Sequence, residues 1–421
     1  MNKKIFWNLF LLLLMSPYAS VSANFTPKDT TTTIKLGFVL PEGTHKLSVP
    51  FEFNNNLIVI KVLLNNAIPL KFILDTGVRT TVLTEKTFTD LLNLTYTRKI
   101  TIPGVGGEKL IDAYVTNNVT LEISGMVGRG HALIVLEEDL LQLKNYLGTS
   151  VHGILGYELF SRFIVEINYS KKTVTFYDPN YAKKRTRFKS YDLEIVDTKP
   201  YINAHFSLSD SVVHKGRFMI DTGASHSFLL DKNSDSSLYI PQPSLYSHLG
   251  RGLGGELFGY ISRINSVSLA PFKFDEVIAT FPDSSSYELS VSAGVRNGTI
   301  GGGLLSRFVV VFDYIHEKLY LRKGRSYHKP FEYNLSGLVV KATGMRLDRY
   351  KIVEVREGSA AEKSGVLAGD QILIINGQYA NNMTLNQVLG IINVRANKSI
   401  RMVVMRNGVR TKLHFKLERQ V

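Results

Sequence analysis

Two Asp-Thr-Gly triplets, Asp75-Thr76-Gly77 and Asp221-Thr222-Gly223, stand 146 residues apart in a chain of 421. Each closes an apolar run, Phe72-Ile73-Leu74 before the first and Phe218-Met219-Ile220 before the second. One aspartate after a strand is ordinary, because its carboxylate caps a turn by accepting backbone N–H bonds. That account does not explain the duplication. Two carboxyls held face to face at about 3 Å cannot both ionise, so they share a proton and put an acid and a base in one site. Water between them becomes a nucleophile: the ionised partner takes its proton as it attacks a carbonyl, and the protonated partner donates to the carbonyl oxygen. The scheme needs no covalent intermediate, cofactor or metal. Glycine at the third position lets the backbone pass close to the carboxylate, and threonine can tie one loop to the other through its hydroxyl.

The elements that must carry these residues repeat with them. Residues 153–163 (Gly-Ile-Leu-Gly, then Leu-Phe-Ser-Arg-Phe) return at 299–308 (Thr-Ile-Gly, then Leu-Leu-Ser-Arg-Phe), and Gly104-Val105-Gly106-Gly107 returns as Gly252-Leu253-Gly254-Gly255. A repeat that keeps order and spacing predicts two copies of one unit. The apolar runs predict central strands covered on both faces, with each aspartate at a strand end. The glycine segments read as hairpin tips. A short helix is expected after each Ile-x-Gly return, then a strand pair, 163–168 with 173–177 and 308–313 with 318–322. Residues 34–63 alternate enough for two or three strands, and residues 24–33 read as a frayed start.

Composition narrows the class. Apolar residues are 44% and charged residues 20%, ordinary globular usage that excludes disordered and collagen-like chains. Cysteine is absent, which excludes disulfides, a thiol nucleophile, a Cys-ligated zinc, an iron–sulfur centre and a Cys-linked lipid. Ten histidines are scattered without metal-ligand spacing, and His226 reads as packing rather than a base. A serine triad from Ser225 and His226 lacks a nucleophile elbow. Lys3 and Lys4, the apolar run at 5–15 and the ending Val21-Ser22-Ala23 read as an export signal cut after Ala23. That run is too short to span a bilayer, so no membrane span is expected after its removal. Export without cysteine favours a bacterial periplasmic or secreted protein. The basic stretch from Lys183 to Lys189 lacks interleaved aromatics and reads as a solvated linker within 179–192, not as a nucleic-acid patch.

The paired triplets, glycine-tipped hairpins and Ile-x-Gly returns resemble the aspartic proteases over residues 34–325. The resemblance implies a mainly β fold with two pseudo-symmetric barrel lobes, a dyad of Asp75 and Asp221, cross-linking Thr76 and Thr222, and close turns at Gly77 and Gly223. It implies flap tips at Gly104, Gly106 and Gly107 in one lobe and Gly252, Gly254 and Gly255 in the other. The two flaps are similar to those of the dimeric retroviral enzymes, fused here into one chain, so the site is expected to form within one chain. Val78 and Ala224 follow the triplets where the pepsin type carries a hydroxyl, so outer carboxylate hydrogen bonds are expected to be missing. Neither tip has a tyrosine, which leaves Tyr114 and Tyr260 open. Arg79 reads as an ion-paired surface residue rather than a modulator of the dyad.

Residues 334–421 have another texture, with 14 Lys or Arg against 6 Asp or Glu. Gly358-Ser359-Ala360-Ala361 and Gly369-Asp370-Gln371-Ile372-Leu373 resemble a PDZ domain (α+β), with its groove helix at 384–392. The resemblance implies peptide binding along Gly337, Leu338, Val339 and Val340 by strand addition. A structural or docking role stands equally open. The expected organisation is a signal peptide at 1–23, lobe 1 at 24–180, the connection and lobe 2 at 181–333, and the PDZ domain at 334–421. The expected activity is endopeptide hydrolysis of extended polypeptide, with peptide C-termini at the PDZ domain and no nucleic acid. The competing expectation is a non-catalytic exported protein that holds peptides in the cleft and PDZ groove.

Overall fold

The computed structural model describes residues 35–103, 110–181, 185–209, 212–252, 255–283 and 296–421. Residues 1–34, which include the expected leader, lie outside them. Both apolar runs are strand interiors: Phe72, Leu74, Phe218 and Ile220 have no exposed surface. Ile68–Leu74 sits inside the first sheet, antiparallel to Leu57–Leu64 and parallel to the short Gly153–Leu155. His214–Asp221 repeats this, antiparallel to Lys199–Ser207 and parallel to Gly298–Gly301. The register repeats as well, with Leu74 opposite Leu155 and Ile220 opposite Ile300. Parallel neighbours on one side and cover on both faces explain why these runs are continuously apolar.

The short helices Tyr157–Phe160 and Gly302–Leu305 follow the two returns. The strand pairs come next, Ile164–Asn168 with Thr173–Tyr177 and Phe308–Asp313 with Lys318–Lys323. Ile164–Asn168 also pairs antiparallel with Phe308–Asp313, with Val165 opposite Phe312. One six-stranded sheet therefore runs beneath both lobes, edged by Lys46–Pro50 and Lys189–Asp192. Phe160 and Phe312 meet edge-on at 5.2 Å within its core, an arrangement that adds to simple area burial.

Two details differ from the sequence reading. Residues 34–63 hold four strands, Gly37–Val39, Lys46–Pro50, Glu52–Asn54 and Leu57–Leu64, because tight turns with left-handed residues such as Gly43, Asn55 and Asn56 divide the alternation into shorter pieces. Nor is the interlobe connection solvated throughout. Lys189–Asp192 joins the common sheet against Lys318–Lys323, and Arg185 pairs with Glu166 at 2.8 Å over the Tyr177 ring.

The C-terminal module is a separate sheet with its own core, built around Leu338, Val340, Tyr350, Ile352, Ile372 and Val388. Its strand order places Leu338–Thr343 at an edge, next to Arg349–Val355. Thr384 caps the helix Leu385–Ile392 in a reciprocal box with Gln387, which satisfies two orphan donors. Among the described residues no helix is long and apolar enough to cross a membrane.

Truncating Phe312 to alanine should lower stability by about 3–5 kcal/mol through a cavity at the junction of the lobes. A urea midpoint indistinguishable from that of the parent chain would contradict this account of the shared core.

Candidate active site

The two triplets meet where the lobes join. Thr76 N donates to Thr222 Oγ1 and Thr222 N to Thr76 Oγ1, both at 3.1 Å. Each hydroxyl then donates across the junction, Thr76 Oγ1 to the Ile220 carbonyl at 2.6 Å and Thr222 Oγ1 to the Leu74 carbonyl at 2.8 Å. Both threonines are buried, so all their polar capacity must be met inside the protein. These bonds hold the two loops back to back and leave the carboxyls side by side.

Each carboxylate also accepts from its own loop, Asp75 Oδ1 from Gly77 N at 2.6 Å and Asp221 Oδ1 from Gly223 N at 2.8 Å. The backbone passes so close that a Cβ on Gly223 would lie 2.2 Å from Asp75 Oδ2. Only glycine fits there. No hydroxyl donor follows either glycine: Val78 and Ala224 occupy those positions.

Burial is the largest influence on both carboxyls and raises both. For Asp75 the charge of Asp221 adds to it and carries the group well above the ordinary value of 3.8. Asp221 is restrained by the Gly223 amide, by its hydrogen bond with Asp75 and by the positive charge of Arg296. The pair titrates as a unit and binds one proton in common. Tyr314 feels the charge of the pair, its hydroxyl pushed up by burial and then by the two aspartates. It stacks on Phe160 at 5.5 Å.

Arg79 pairs with exposed Asp197 at 3.2 Å, the surface role expected from sequence. His226 is held neutral by burial, which lowers it to about 4. The hairpin arms read as flap supports are present: Tyr96–Pro103 pairs with Leu110–Ile123, and Ser244–Gly252 with Gly255–Leu269. Gly252 faces Gly255 at the second tip, while Gly104, Gly106, Gly107 and Gly254 lie outside the described residues. Tyr114 packs against Tyr96 and Tyr260 against Tyr246, both on hairpin arms. Gly337 sits at the turn before the PDZ edge strand, and Leu338, Val339 and Val340 begin that strand.

Sequence reasoning missed Arg296, Tyr314 and Asn56, whose Nδ2 donates to the Ser225 carbonyl at 2.9 Å across the lobes. Tyr314 had a signal, since Asp313-Tyr314 repeats Asn168-Tyr169 at the spacing of the strand pairs. Arg296 and Asn56 had none.

A family model for aspartyl proteases matches twice, over residues 60–159 and 206–305. A PDZ domain model matches residues 351–406. The chain is a bilobal aspartyl protease family member with a PDZ domain. The aspartic proteinase from Irpex lacteus, a solved structure, is similar at 13% identity, covering 68% of this chain and 99% of that one with a TM-score of 0.41. No curated protein matches the chain.

The raised carboxyls make this family member's cleft a source of instability. Between 3.8 and the folded pKa of Asp75 the folded chain binds more protons than the unfolded one, so stability falls as pH rises through that window. Asp75→Asn removes the penalty. Its urea midpoint should exceed the parent's at neutral pH, and the gap should close as pH drops below 3.8; equal midpoints at neutral pH would refute the assigned direction.

Proposed function

We propose that this chain is an exported aspartic endopeptidase that hydrolyses extended polypeptide by activating water between Asp75 and Asp221. The observation that carries the reading is the reciprocal threonine lock, which sets two half-buried carboxyls from opposite lobes side by side. The ionised partner takes the proton of the attacking water. The protonated partner donates to the carbonyl oxygen, and a proton then reaches the leaving nitrogen. The two glycine-tipped hairpins close over the substrate. The organisation proposed with it is a signal at 1–23, lobes at 24–180 and 181–333 and a PDZ domain at 334–421, in a bacterial periplasmic or secreted protein.

Activity requires one proton on the pair, so it falls as pH rises through the pair's upper apparent pKa and falls again in acid as the second carboxyl is protonated. The test is cleavage of an unfolded protein over about pH 3–8 by the chain from Asn24 and by its Asp75→Asn and Asp221→Asn variants. The parent should cleave, and each variant should be slower by about a thousandfold or more while giving an unchanged circular dichroism spectrum. A folded parent that cleaves nothing would transfer the cleft to the peptide-holding reading. Activity that survives in both variants would remove the dyad from the mechanism.

A further inference from the structure

A PDZ domain takes a peptide as an added strand, between its free sheet edge and the neighbouring helix. Here those walls are Leu338–Thr343 and Leu385–Ile392, and lobe 1 already touches both. Asn145 Nδ2 donates to the Ala342 carbonyl of the strand at 2.8 Å. The Tyr146 ring lies 4.2 Å from Lys341 Nζ on the same strand. Gly148, left-handed at φ +63, comes so near the helix that a Cβ there would lie 2.5 Å from the Cβ of Leu385. Asn386, in the helix's first turn, donates to the Phe53 carbonyl at 2.9 Å and to Asn54 Oδ1 at 2.5 Å, and accepts from Asn55 N at 3.3 Å.

We propose that the resident ligand of the PDZ groove is the 143–148 segment of lobe 1, and that an extended peptide added along Leu338–Thr343 has to displace it. An added strand would run about 4.8 Å from the edge, through the space that Asn145 and Gly148 fill. The displacement would be felt at the cleft. Leu147 packs with Val59 and with Ile73, two residues before Asp75, and the Tyr146 ring stacks over His248 of the second glycine-tipped hairpin at 6.4 Å. The turn held by Asn386 leads directly to Asn56 and its bond to Ser225.

The inference rests on the PDZ assignment alone, and its test is independent of cleavage. In an Asp75→Asn background, which protects the probe, fluorescence polarisation would follow a labelled pool of decapeptides with free apolar C-termini. The Asn145→Ala/Tyr146→Ala/Asn386→Ala variant should bind the pool at least about tenfold more tightly than its parent. Equal binding by the two, or binding by neither, overturns the proposal. A second variant does not depend on loosening the contact. The only tryptophan is Trp7, so Tyr146→Trp in the chain from Asn24 carries a single indole at the groove. Its emission should shift to the red as the pool saturates, and peptide binding without that shift also overturns the proposal.

Discussion

The reciprocal bonds between Thr76 and Thr222 are the constraint on which the rest of the molecule depends. Each hydroxyl accepts from the opposite loop's amide and donates to a carbonyl of the opposite lobe. In either lobe alone these groups would face water, and the junction that takes them out of water has to give each a partner. The lobes are therefore complementary halves of one polar network. The close approach of Gly223 to the Asp75 carboxyl and the common sheet beneath follow from holding those loops in contact.

Once the loops are locked, symmetry of backbone does not impose symmetry of charge. Asp75 is followed by Val78 and an outward Arg79 that pairs with Asp197. Asp221 has a neutral His226 behind it and the positive charge of Arg296 nearby. The same triplet thus sits in two electrostatic settings around one shared proton. Duplication within a single chain makes this possible, because each copy can carry its own neighbours.

What could be read in advance depended on range. Phe72-Ile73-Leu74 and Phe218-Met219-Ile220 announce strands because burial on both faces leaves a local mark, and the repeat announces that their aspartates correspond. The helix at 384–392 was legible only through the PDZ resemblance, and its capping box of Thr384 and Gln387 came from the structure. Illegible were the contacts that join distant segments: the pairing of Val165 with Phe312, the strand hidden in the basic connection, and Arg296 beside Asp221. The clasp between Asn386 and Asn54 spans 332 residues, and asparagine in a polar stretch carries no sign of its partner. The PDZ groove was read from its own sequence, whereas what faces it is written in lobe 1.

The sheet beneath the cleft takes strands from both ends of the duplicated region, with Lys46–Pro50 at one edge and Lys318–Lys323 beside the other. Its two halves join through Ile164–Asn168 and Phe308–Asp313, so it cannot close until the second copy has emerged from synthesis. Until then Ile164–Asn168 presents an unpaired apolar edge, the kind of surface that recruits another chain. A protein assembled this way folds late and through long loops, and during its manufacture the first lobe waits, open-edged, for a partner that is still being made.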